Sequence, residues 1–96
     1  MITIVDKYIK ELTKIGDLNI FVDINGNTCV TYVKYDIEDT PGVITTVTGR
    51  GISLESALCD FVNRISGKTL VSHGSSVKVK VLVINYNNIL EKQEDN

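Results

Sequence analysis

The chain is poor in the residues that most chemistry is built from. It has a single histidine, His73, in a serine-rich stretch with no acid beside it in sequence, so a nucleophile, base and orienting acid cannot be assembled from local motifs. Its two cysteines, Cys29 and Cys59, are too few for a disulfide scaffold and are expected to stay reduced. One histidine and two thiols thirty positions apart match no metal-ligand spacing, and Asp36, Glu38 and Asp39 lack the pattern of a calcium loop, so no metal and no cofactor is expected. Apolar runs such as Val81 to Ile84 fall far short of the ~20 residues that cross a bilayer, and no cleavable leader is evident. A cytoplasmic protein that keeps away from membranes is the expectation.

A strong charge of either sign is missing too. The net charge of −2 hides an asymmetry: residues 1 to 48 carry four lysines against seven acids, and residues 49 to 90 carry five basic residues against two acids. That basic excess is too small to be a nucleic-acid signature by itself.

What is present is the patterning of one small domain. Ninety-six residues with 43% hydrophobic and 23% charged content suit a single core. Residues 1 to 90 are expected to form it, and the acidic residues 91 to 96 to be a disordered tail. Thr3 and Asp6 cap a first helix whose Val5, Tyr8, Ile9, Leu12 and Ile15 recur at helical spacing before Gly16. The period then falls to two, with Leu18, Ile20, Val22 and Ile24 alternating with Asn19, Phe21 and Asp23 as in a strand. Asn25-Gly26 marks a hairpin. A three-residue loop that includes Asn27 sets Val22 against Val30 and Ile20 against Tyr32, better pairs than those of a two-residue turn. The second strand is expected to reach Tyr35, the acidic segment Asp36 to Asp39 with Thr40-Pro41-Gly42 to turn, and a third strand to span Val43 to Thr48.

Ser53 caps the clearest helix, in which Leu54, Ala57, Leu58, Phe61, Val62 and Ile65 form one stripe before Gly67. A short strand at Lys68 to Val71, a polar loop and a longer strand with Val77, Val79, Val81 and Val83 on one side follow, Lys78 and Lys80 facing the other way; from Asn85 onward the chain reads as a fraying terminus. The expected fold is α+β in two layers: an antiparallel sheet, made of a three-strand meander plus one or two C-terminal strands, covered on one face by two helices. A second sheet face holding Phe21 and Tyr32, or an unpaired last strand, would then suit a partner protein or a second copy.

The junction Thr48-Gly49-Arg50-Gly51-Ile52-Ser53 ends a strand and opens a helix, a place where backbone amides and an arginine can hold an anion. Arg64, Lys68, Lys78 and Lys80 would add to that site if the fold gathered them. In element order and in this junction, residues 3 to 66 resemble the double-stranded RNA-binding domain, and the resemblance implies a phosphate contact at Arg50. Where that family sets lysines at the start of its second helix, this chain has Ser53, Leu54, Glu55 and Ser56. The same layout, in a short chain without an evident active site, is similar to that of small anti-CRISPR proteins of bacteriophages. That likeness implies a non-enzymatic inhibitor of a host protein, with Asp36, Glu38 and Asp39 as a local acidic patch. Asp39-Thr40-Pro41-Gly42 followed by Ser53-Leu54-Glu55-Ser56-Ala57-Leu58 is similar to antitoxins with a Pro-Gly turn ahead of a Leu-Glu-Glu-Ala-Leu helix. The two function classes are therefore a protein-binding module and, alternatively, a nucleic-acid or small-anion binder.

Overall fold

The computed structural model describes residues 3–74 and 77–81. Val83, the terminus from Asn85 and the acidic tail lie outside the described residues. The elements are α1 (Ile4–Thr13), β1 (Leu18–Val22), β2 (Thr28–Tyr32), β3 (Tyr35–Thr40), β4 (Val43–Thr45), β5 (Gly49–Gly51), α2 (Leu54–Ile65), β6 (Thr69–Ser72) and β7 (Lys78–Lys80). No described helix is long and apolar enough to cross a membrane.

Both helices form for local reasons. Thr3 and Asp6 make a reciprocal capping box at α1, and Ser53 and Ser56 make another at α2. Gly67 follows α2 at φ 76°, a conformation that costs glycine nothing. The stripe of α2 buries Ala57, Leu58, Phe61, Val62 and Ile65 completely or nearly so. Each of its large side chains contributes about 1.5–3 kcal/mol over remaining in water. α2 lies on β5 and β2, and α1 packs beside it. Tyr8, Leu12, Val30, Tyr32, Ile37, Leu70 and Val81 complete one core.

The α+β class stands as the sequence implied, but the strands form two antiparallel sheets, in the orders β1-β2-β5 and β4-β3-β6-β7. The expected second strand breaks at Val33-Lys34 and the expected third at residues 46–48, so five strands, not three, separate the helices. The cause is a length mismatch. Val30 pairs with Gly49 and Ile37 with Thr45, so seven residue steps on one side oppose four on the other. The surplus leaves the ladder between the two sheets, and β3 turns its second edge to β6.

The acidic segment is also a strand rather than a turn; the turn itself is Pro41-Gly42, with Gly42 at φ 84°. Ile37 points into the core while Asp36 and Glu38 point out, the alternation of a half-buried strand.

In the first hairpin the loop has the expected three residues but sits one position earlier. Asp23 and Asn27 close it, the Asp23 amide donating to the Asn27 carbonyl at 2.9 Å, and Ile20 faces Val30 while Val22 faces Thr28. A three-residue loop needs its left-handed residue third, and Gly26, at φ 83°, meets that only if the loop is Ile24-Asn25-Gly26. The Asp23 carboxylate fixes the choice by accepting from the amides of Asn25 (2.9 Å) and Asn27 (3.0 Å).

Candidate functional site: a strand edge and a cationic cleft

Strand β1 is the outer strand of its sheet and pairs with β2 alone among the described residues. The Asp23 amide bonds to Asn27 and the Val33 amide to the Asp17 carbonyl, which puts the odd-numbered positions in hydrogen-bonded pairs. By alternation, Leu18, Ile20 and Val22 direct their amides and carbonyls away from β2. One face of this edge is apolar, with Ile20 and Val22 exposed, while the other presents exposed Phe21 between Asn19 and Asp23; Ile24 in the following loop is completely exposed. Residues 18–22 hold no lysine, arginine or proline, the usual protections of an open edge.

The opposite edge of the same sheet is closed. On β5 the Arg50 amide points away from β2 and donates to Asp60 of α2 at 2.9 Å. Asp60 also accepts from Arg64 Nε at 2.8 Å. Burial pulls its carboxyl up, but these hydrogen bonds outweigh burial and leave it below the ordinary carboxylate value.

At the anion cradle expected around Gly49, Arg50, Gly51 and Ser53, the amides of Arg50 and Ser53 already have partners within the protein. The Ser53 amide donates to Ser56 Oγ and the Ser56 amide to Ser53 Oγ, while Arg50 gives its amide to Asp60. Neither Gly49 nor Gly51 has positive φ. A Cβ on Gly49 would run into Phe61 Cβ and lie 2.6 Å from the Ala57 carbonyl; one on Gly51 would run into Ser56 Oγ and lie 2.7 Å from the Ala57 amide. They are glycines so that β5 can touch α2.

The basic residues divide between two faces. Arg50, Arg64 and Lys68 line an open cleft of about 440 Å³ at the seam between the sheets, with Asp39, Ile37 and residues 45–48. Lys78 and Lys80 are elsewhere: their register through β6 aligns them with Asp36 and Glu38, on the side of β3 opposite Ile37 and Asp39. Lys78 spans β6 to reach Glu38 at 3.1 Å. That hydrogen bond, with another from the Gly42 amide, holds the Glu38 carboxyl below its usual value.

The acidic patch is correspondingly not free. Asp36 accepts from Thr46 Oγ1 at 3.2 Å and meets His73 Nε2 at 2.9 Å, and Asp39 meets Lys68 at 2.6 Å. His73 therefore does have an acid partner, 37 positions away on β3, although the imidazole is about half exposed and no thiol joins the pair. Among the described residues, no three His, Cys, Asp or Glu side chains converge as metal ligands.

Tyr32, a sequence candidate for an exposed contact, is interior: it shares the face of Val30, which the helices cover, and burial with Tyr35 beside it pushes its phenol well above the ordinary value. Phe21, by contrast, is exposed on β1. Phe21, Cys29 and Arg50 form one cross-strand row, in which Cys29 is fully buried between its neighbours. The sequence reading missed Ile20, Val22 and Ile24 as surface residues and Thr45 and Thr48 as cleft residues. A signal for the former was present, since apolar residues at both parities of a short strand mark either a fully buried strand or an edge. No protein family, characterised protein or solved structure was found to match this chain.

Proposed function

We propose that the protein is a binding module and not an enzyme, and that it engages a partner protein by strand addition at β1. The observation that carries this reading is an edge with no second partner strand among the described residues: Leu18, Ile20 and Val22 offer outward backbone groups, flanked by exposed Ile20, Phe21 and Val22. The partner segment that fits is extended, with apolar side chains at alternate positions. An inhibitor of a host protein, encoded by a bacteriophage or other mobile element, is the form of this role that the anti-CRISPR resemblance implies.

The test compares wild type with Ile20→Pro in affinity capture followed by mass spectrometry. Proline at this position removes an outward amide and leaves the β1–β2 ladder intact, as edge strands tolerate. A partner held by wild type and lost by Ile20→Pro supports the reading, as does slowed exchange of the Leu18, Ile20 and Val22 amides in the purified complex. Capture that Ile20→Pro leaves unchanged would overturn it. Sedimentation of the isolated protein separates the case in which the added strand is β1 of a second copy.

A further inference from the structure

We propose that the cleft at the seam between the two sheets binds a small phosphomonoester, held by Arg50, Arg64 and Lys68. Arg50 of β5, Arg64 of α2 and Lys68 of the turn between α2 and β6 converge on one open space, and Asp39 is the one acid among its described lining residues. The described lining thus carries a formal +2, from Arg50, Arg64 and Lys68 less Asp39, against about −1.5 to −2 on a phosphomonoester at neutral pH.

The cations are held loosely enough to serve. Arg64 engages Asp60 through Nε, and no other partner of its guanidinium is found among the described residues. Arg50 approaches Asp23 only to 3.9 Å. Lys68 is paired with an exposed carboxylate, Asp39, which competes with water and with any incoming anion. Guanidinium groups suit phosphate because their planar donors match its oxygens two at a time. Thr45 and Thr48 also line the cleft, while the Thr46 hydroxyl is committed to Asp36.

The volume, about 440 Å³, lies in the range of small-molecule sites. Lys78 and Lys80 lie on the other side of β3, so the five basic residues do not form the continuous track that a nucleic-acid backbone needs.

The full chain, labelled with ¹⁵N, is titrated with AMP and with glucose 6-phosphate, and separately with a short oligothymidylate. Saturable shifts of the amides at residues 45–48 with both monoesters are expected, weakened at least about tenfold by Arg50→Ala or Arg64→Ala through loss of charge-assisted hydrogen bonds. Binding by AMP alone also supports the site and assigns part of the affinity to the base. Lys80→Ala should bind as wild type, and Asp39→Asn, which releases Lys68, should bind more tightly. Dispersed amide spectra establish that each variant is folded. The proposal is overturned if neither monoester saturates at millimolar concentration, if Arg50→Ala and Arg64→Ala bind unchanged, if Asp39→Asn fails to tighten binding, or if oligothymidylate binds more tightly than both monoesters.

Discussion

The phenol of Tyr32 donates a 2.8 Å hydrogen bond to the main-chain carbonyl of Leu12, tying the centre of the first sheet to the last turn of α1. The Leu12 carbonyl also accepts from the amide of Ile15 at 3.1 Å, so it keeps a partner when the phenol is removed. Phe61 and Tyr35 hold the ring edge-on, at centroid distances of 5.3 and 5.8 Å. Tyr32→Phe should therefore cost only about 1 kcal/mol, the net worth of one buried hydrogen bond. Urea denaturation measures it; a loss several times larger would mean that the bond orients the whole helix.

The two glycines of β5 predict a steeper loss. Gly49→Ala and Gly51→Ala each drive a methyl group into α2, where part of the obstruction is backbone and cannot swing aside. Each should destabilise by about 3 kcal/mol or more, against about 1 kcal/mol for Gly74→Ala, whose penalty is positive φ in open space. Thermal melts of the three variants give the ranking.

Amide exchange reads the β1 edge directly. In the isolated monomer Asn19 and Phe21 should be protected, while Ile20 and Val22 exchange orders of magnitude faster despite lying in the same strand. Uniform protection along β1 would show that the edge is already covered, by a second copy or by another part of the chain.

Asp23 sets a pH dependence whose sign is fixed. Hydrogen bonds, foremost from the Asn27 amide, outweigh the opposing effect of burial and hold its carboxyl below the ordinary value near 3.8. A depressed carboxyl stabilises the fold above its unfolded-state pKa, and the contribution fades as pH falls below about 4 through the folded-state value. Asp23→Asn should thus be less stable than wild type at neutral pH, with the gap closing in acid. Denaturation midpoints across that range test it; a gap that widens in acid would contradict the assignment.

The caps at Thr3 and Ser53, the helical stripes and the glycine after α2 were legible because each is decided within a few residues of itself. The hairpin was half legible. Its loop length followed from the cross-strand pairs, but its position depended on which residue had to be left-handed and on the reach of the Asp23 carboxylate. The acidic run was misleading as a turn because its basic partners, Lys68, His73 and Lys78, lie about 29 to 40 positions downstream.

By itself the sequence determined an α+β domain with two capped amphipathic helices, since periodicity and capping act over one or two turns of chain. The tertiary structure alone decided that the strands divide into two sheets, that β1 pairs with β2 alone among the described residues while the outward amide of β5 goes to Asp60, and that Arg50, Arg64 and Lys68 share a cleft from which Lys78 and Lys80 are excluded. Those outcomes rest on strand register, and register is set by a length mismatch between segments far apart in the chain, which no local pattern encodes.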